Sequence, residues 1–290
     1  MAPAVLVMGA TGNVGGATLA ALRASGVEAA AFVRDPMRAA EVLGPDQEVR
    51  VGDLADSASL AAALVGIERV LLCSGNDPAL REQQLNAVDA FAAGDVQRVV
   101  KISASPVATG ADSPSRVGRD HAAVEDALRA TVREAVAIRP NVFMQSFLAQ
   151  APAIANGALP GPEGARVSFI DAGDIGAVAA AALTAAEPPA PILEVTGPEA
   201  LTWYQVADLM SEVLGREITH YPASTEMLAE GMRALGRPEW QVQHSLELAV
   251  LLREPKAAEV TDTVEQLAGR PPRPLTEFLT ENAAAFSPAV

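Results

Sequence analysis

Cysteine occurs once, at Cys73, so no disulfide framework and no cysteine set at zinc-binding spacing is available, and a reducing cytoplasm is the expected compartment. Basic residues are in deficit: 21 Lys and Arg stand against 36 Asp and Glu, a formal charge of −15. So acidic a chain repels phosphate backbones and anionic lipid surfaces, which argues against nucleic acid and membrane surfaces as partners. Long apolar runs are lacking too. The best, residues 175–186, is dominated by alanine and falls short of the ~20 residues a bilayer crossing needs. The first apolar run meets Gly9 within a few residues and has no basic segment ahead of it, unlike a signal peptide. No metal site is expected.

What is present is an alternation. Short apolar runs at 5–8, 29–33, 70–73 and 99–102 read as strands of a parallel sheet covered on both faces, and a further strand ends near Ile138 and Arg139. Amphipathic segments near 14–24, 36–43, 57–65, 79–93 and 117–130 read as helices. Asp35-Pro36 and Asp77-Pro78 each place a capping residue before a proline at the first helical position. Repeated βα units imply an α/β fold, a doubly wound parallel sheet of Rossmann type, with a cofactor crevice at the carboxyl ends of its strands. Residues 157–164 read as a Pro/Gly loop. Helices then dominate, with a capping box at Thr202 to Gln205 and one or two helices over 222–253 broken near Gly236. The expected division is 1–155 as an NAD(P)-binding Rossmann domain and 156–290 as a smaller, mainly helical substrate-binding lobe interleaved with the end of the sheet.

The most specific local signal is Gly9-Ala10-Thr11-Gly12-Asn13-Val14-Gly15-Gly16, between the first strand and the first helix. One glycine allows the tight turn, one lets backbone approach a pyrophosphate, and the last lets helix and strand pack closely. The segment predicts cofactor contacts from Gly9, Thr11, Gly12, Asn13, Val14 and Gly15. Where NAD-selective folds carry an acid at the end of the second strand, this chain has Arg34, suited to a 2′-phosphate; NADPH is expected over NADH. Asp35 reads better as a helix cap, and Arg38 is either a second positive contact or a solvated surface group. Asp53, followed by Leu54, lies after the third strand where the adenine edge is expected, and a loop or capping acid is the other reading of it. Ser74 and Gly75, after the fourth run, join the expected cofactor site.

These stretches, with VRDP at 33–36, GDLAD at 52–56, KISAS at 101–105, HAAVEDALRA at 121–130, IRPNVFMQ at 138–145, FIDAGDIGAVAAAAL at 169–183 and TGPEALTWYQVADLMSEVLGR at 196–216, make the chain resemble the NmrA-like family of atypical short-chain dehydrogenases almost end to end. The resemblance implies NADP binding. Its activities are NADPH-dependent reduction of quinones, dyes or ketones, or redox sensing without turnover. It also implies that Pro140 and Phe143 border the nicotinamide and that Ser103 and Ser105 lie near it.

Short-chain dehydrogenases usually employ Tyr-x-x-x-Lys. Here the lysines are Lys101 and Lys256, preceded four residues earlier by Gln97 and Leu252, and the tyrosines are Tyr204 and Tyr221, so the pair cannot form. On the family's pattern His121 stands where the lysine would be and Val117 where the tyrosine would be. Val117, His121, Val124 and Leu128 share one helical face. His121 is thus either a satisfied core histidine or a contact to cofactor or substrate. The loop 106–115 reads as a surface loop or a lid. The expectation is an NADPH-dependent reductase of a quinone or cyclic, polyketide-like ketone, with Ser103 and His121 as candidate catalytic residues and a small-molecule electron acceptor as partner. A redox-sensing NADP-binding regulator is the alternative. The sequence leaves the oligomeric state open.

Overall fold

The computed structural model describes residues 4–288. Seven parallel strands form the main sheet: β1 (Val5–Met8), β2 (Ala29–Val33), β3 (Val49–Val51), β4 (Arg69–Leu72), β5 (Arg98–Ile102), β6 (Glu134–Pro140) and β9 (Ile192–Val195), in the spatial order β3-β2-β1-β4-β5-β6-β9. The order reverses between β1 and β4. That is the switch point at which diverging connections leave a crevice beyond the carboxyl ends.

Strand residues alternate between two cores. Val5, Val7, Ala31, Val33, Leu71, Val100 and Ile138 face helices α1 (Asn13–Ala24), α2 (Pro36–Leu43), α7 (Ala172–Thr184) and α11 (Thr263–Ala268). Leu6, Met8, Ala30, Phe32, Val70, Leu72 and Val99 face α3 (Ser57–Ala63), α4 (Leu80–Ala93) and α5 (Arg116–Thr131). Burial on both sides is why these strands read as unbroken apolar runs. The apolar segment 175–186 is largely α7, packed against α1 beneath the sheet.

The C-terminal lobe has its own core of Phe147, Phe169, Trp203, Met210 and Phe278. It is built from α6 (Ala151–Ala155), β7 (Ala158–Pro162), β8 (Arg166–Val167), β10 (Leu201–Thr202), α8 (Trp203–Leu214), β11 (Thr219–Ala223), α9 (Thr225–Ala234), α10 (Glu239–Leu251) and α12 (Leu275–Glu281). Two expectations need correction. The segment read as a Pro/Gly loop contains β7, which pairs in parallel with β11, the partner lying some sixty residues downstream. Helix α4 begins at Leu80 rather than at Pro78, because the Asp77 carboxylate accepts the Ala79 N–H at 2.6 Å and closes a turn ahead of the helix. Asp35 does cap α2, accepting from Met37 and Arg38, and the Thr202 capping box opens α8. Among the described residues no helix is long and apolar enough to cross a membrane.

Candidate functional site

A cleft of about 600 Å³ opens at the switch point. Gly9, Thr11, Gly12, Asn13, Val14, Arg34, Asp53, Leu54, Ser74, Gly75 and Phe143 all line it. Gly9 makes the turn out of β1 with φ +68°, and a Cβ there would lie 2.6 Å from the Cys73 carbonyl oxygen. The turn closes with Gly12 N–H donating to Gly9 O at 3.0 Å, and helix α1 starts with Gly12 as its cap. Its first backbone N–H groups lack carbonyl partners within the helix, which suits them to a pyrophosphate. Gly12 meets nothing closer than 3.3 Å to a built Cβ, so its face toward the cleft is open.

Arg34 and Arg38, both exposed, stand at the end of the cleft where β2 passes into α2. Asp35, between them, is occupied as the cap. Asp53 lines the cleft, and its carboxylate accepts the Ala55 N–H at 2.9 Å in the turn ahead of α3, whose cap is Asp56. The opposite end is formed by Cys73, Ser74, Gly75, Asn76 and Phe143. A glycine cradle, two arginines whose guanidinium groups have no partner among the described residues at one end and a polar β4 terminus at the other fit a dinucleotide carrying a 2′-phosphate.

Four expected residues do not line the cleft: Gly15, Ser103, His121 and Pro140. Gly15 lies under the loop, where a Cβ would fall 2.2 Å from Gly9 O. Pro140 is buried at the end of β6, paired with Val195. Ser103 is 6% exposed, and its hydroxyl donates to Glu125 Oε1 at 2.5 Å. Arg139 clasps the same carboxylate, Nη2 to Oε2 at 2.6 Å and Nε to Oε1 at 3.1 Å. Burial alone would raise the Glu125 pKa, but the hydrogen bonds from Arg139 and Ser103 and the nearby positive charges hold it below the ordinary value. Ser103 is thereby committed to tying β5, α5 and β6 together.

His121 is 4% exposed on the buried stripe with Val117, Val124 and Leu128. Its Nδ1 lies 2.8 Å from Lys101 Nζ. Lys101, wholly buried on β5, also donates to Gln84 Oε1 at 2.7 Å and to the Ile102 carbonyl at 3.2 Å. Gln84 in turn donates to Ser74 Oγ at 2.8 Å, linking the pair to the cleft wall. Burial pulls the Lys101 amine down to about 7, against the opposing pull of Glu125 and Cys73. Burial, reinforced by Lys101 and His244, pushes His121 well below its ordinary value, so its imidazole is neutral at physiological pH. His244, on α10, approaches from the C-terminal lobe, where its Nε2 lies 3.4 Å from Asn76 Nδ2.

Sequence reasoning missed Lys101, Gln84, Asn76 and His244 as neighbours of this end. One signal was available: a lysine inside an otherwise apolar central strand is costly unless it has partners and a purpose. The loop 106–115 is tied down by Thr109 Oγ1 donating to the Ala104 carbonyl at 3.0 Å and by Arg119 donating to the Ser113 carbonyl.

A parallel sheet with its glycine cradle at the switch point defines a dinucleotide-binding protein of Rossmann type. The NmrA-like family matches residues 1–279, and the chain belongs to it. It is 31% identical to an NAD(P)H azoreductase of Xenophilus azovorans over 98% of this chain and 100% of that one. It is 34% identical to a (4-alkanoyl-5-oxo-2,5-dihydrofuran-3-yl)methyl phosphate reductase of Streptomyces griseus, covering 98% and 99% of the two chains. The fold superimposes on the NADPH complex of an Escherichia coli NADPH-dependent quinone oxidoreductase with a TM-score of 0.85, at 24% identity over 96% of this chain and 99% of that one.

Proposed function

We propose that the protein is an NADPH-dependent reductase acting on a small electron acceptor, a quinone or a cyclic ketone, in the cytoplasm. The observation that carries this reading is the single continuous cleft running from Arg34 and Arg38, past the Gly9–Gly12 cradle, to the polar end at Ser74 to Asn76. The bound nicotinamide supplies the hydride. The protein's part is to hold the dinucleotide in place and exclude water, with Phe143 as an apolar wall and His244 of the C-terminal lobe reaching Asn76 at the polar end of the cleft.

The acceptor's chemistry decides how much acid help is needed. A reduced quinone stabilises its oxygen anion by conjugation, whereas a simple ketone gives a strongly basic alkoxide. Neither tyrosine supplies that acid in this reading: Tyr204 is 53% and Tyr221 56% exposed, and neither lines the cleft. His121, which is set back from the cleft wall and linked to it through Lys101, Gln84 and Ser74, is the candidate donor. Tyr204→Phe and Tyr221→Phe are each expected to keep most of the wild-type turnover, measured by steady-state NADPH oxidation.

The decisive experiment follows nicotinamide absorbance with a panel of quinones, ketones, enones and azo dyes. Oxidation coupled to one of these acceptors is the expected result. Tight NADPH binding with no acceptor reduced replaces this reading with that of a redox-sensing binding protein. Cofactor selectivity has its own test in Arg34. A charge-assisted contact to a 2′-phosphate is worth roughly 1.5–3 kcal/mol, so Arg34→Ala should weaken NADPH by about tenfold to a hundredfold and leave NADH nearly unchanged in calorimetric titrations. Equal losses for both would assign Arg34 a structural role.

A further inference from the structure

We propose that Lys101 and His121 form a proton relay in which the lysine reloads the histidine as the histidine protonates the reduced acceptor. The inference rests on the reductase reading and deepens it by naming the proton source.

The hydrogen-bond count around Lys101 carries the argument. An ammonium has three N–H donors and no acceptor. Lys101 Nζ has three acceptors around it: Gln84 Oε1, the Ile102 carbonyl and His121 Nδ1. With the lysine charged, Nδ1 must be the bare nitrogen and the imidazole proton sits on Nε2. That nitrogen has no hydrogen-bond partner among the described residues, and the ring's residual exposure leaves it open. The charged arrangement therefore leaves a proton on a nitrogen that accepts no hydrogen bond and donates to no described side chain.

The neutral arrangement is equally well satisfied. A neutral amine donates twice, to Gln84 and Ile102, and offers one lone pair, which a proton on His121 Nδ1 can fill. Passing from one arrangement to the other moves one proton from Lys101 Nζ to His121 Nδ1 and releases one from Nε2. An acceptor that has gained a hydride takes the released proton, so its new O–H bond balances the N–H bond lost at Nε2. His121 ends as the other neutral tautomer and Lys101 as an amine; between turnovers a solvent proton taken up at Nε2 returns the Nδ1 proton to the buried lysine and restores the starting arrangement. No buried polar group loses its partner, so the relay avoids the usual cost of an unpaired buried group.

The surroundings suit an easily discharged lysine. Facing it are Cys73 just beyond β4, Gln84 from α4, and His121 and Glu125 from α5; Arg139 of β6 clasps Glu125, and His244 of α10 faces His121. Burial outweighs the favourable pull of Glu125 and brings the amine near neutrality. A fully charged, merely structural lysine would lack this poise.

The chain has two lysines, Lys101 and Lys256, which makes a direct readout possible. Protein labelled at the lysine side-chain carbons and histidine nitrogens gives two lysine signals, assigned with Lys256→Arg. The expected result is that the Lys101 signal titrates near neutral pH and that His121 changes from the Nε2–H to the Nδ1–H tautomer with the same midpoint. A Lys101 signal that stays fixed from mildly acidic to mildly alkaline pH, or a His121 tautomer that does not follow it, overturns the relay. The kinetic counterpart is Lys101→Met. Its NADPH affinity should be unchanged, while ketone turnover falls by about a hundredfold or more and loses its alkaline decline, and quinone turnover falls by less than about tenfold. Retention of the wild-type pH profile in folded Lys101→Met also overturns it. If the wild-type protein reduces no acceptor, the reductase reading fails separately, and the coupled lysine and histidine titration still decides the proton pair.

Discussion

Replacing Gly12 by valine should remove measurable NADPH binding from a protein that still folds, whereas Gly15→Ala should damage the fold itself. The two glycines lie three residues apart in one loop but face different things. A Cβ on Gly12 meets only the Gly9 carbonyl oxygen, at 3.3 Å, a distance that small shifts can absorb. Its remaining bulk projects into the cleft that the pyrophosphate needs. Two backbone hydrogen bonds to a charged phosphate, at roughly 1.5–3 kcal/mol each, amount to an affinity loss of about 10²–10⁴-fold. At Gly15 the added carbon would lie 2.2 Å from Gly9 O and 2.6 Å from Gly9 C, inside backbone that cannot rotate away. Overpacking of that kind costs about 1–3 kcal/mol, read as a lower melting temperature before any ligand is added. Unchanged NADPH affinity in folded Gly12→Val protein would remove the pyrophosphate from this loop.

Most of the Rossmann half was legible because its signals are local. Val5 to Met8 and Ala29 to Val33 read as buried strands since both faces of each strand are covered, and Asp35-Pro36 marks a helix start because cap and first turn are adjacent in sequence. The glycine spacing likewise lies within one βα turn. What was not legible depended on distant partners. Pro160 and Gly161 read as strand breakers, yet in a two-stranded sheet a strand bonds along one edge only, so a missing N–H is tolerated; the pairing partner Thr219–Ala223 is invisible from the local pattern.

The same limit governed the site. His121 was placed correctly on an inward stripe by its helical period, but which strand residue meets it depends on how α5 packs on β5. Lys101 entered the sequence reading only as a lysine without its tyrosine. Its true neighbours, Gln84 and His121, lie 17 and 20 residues away and converge only through the crossover helices. Ser103, assigned from its place after the strand, proves to be spoken for by Glu125. The polar groups behind the cleft thus form two hydrogen-bond networks, Ser74-Gln84-Lys101-His121 and Ser103-Glu125-Arg139, coupled by charge between Lys101 and Glu125.

The second of these networks should carry a large part of the stability of the domain, and Glu125→Ala tests it. The Glu125 side chain is 1% exposed and receives hydrogen bonds from Ser103 and Arg139, with Arg129 3.4 Å from Oε2. Truncation leaves the Arg139 guanidinium, itself mostly buried, beside an empty space with no counter-charge, and leaves the Ser103 hydroxyl without its acceptor. Breaking a buried pair in this way costs about 3–5 kcal/mol, which for a chain of this size corresponds to a fall of roughly 10 °C in Tm. The pH dependence gives the sign independently. Because the native carboxyl is held below its ordinary value of 4.5, the unfolded state binds the extra proton first as pH falls. The stabilisation is therefore complete above that ordinary value and drains away as pH drops through the lower native one. Wild-type Tm should consequently decline more steeply below about pH 4.5 than that of Glu125→Gln, whose amide keeps an acceptor for Ser103 but has no charge to lose. NADPH affinity, measured well below the melting temperature, should survive in both variants because neither touches the glycine cradle. Parallel acid-melting curves for wild type and Glu125→Gln would show instead that Arg139 and Ser103 gain nothing from the charge at this position.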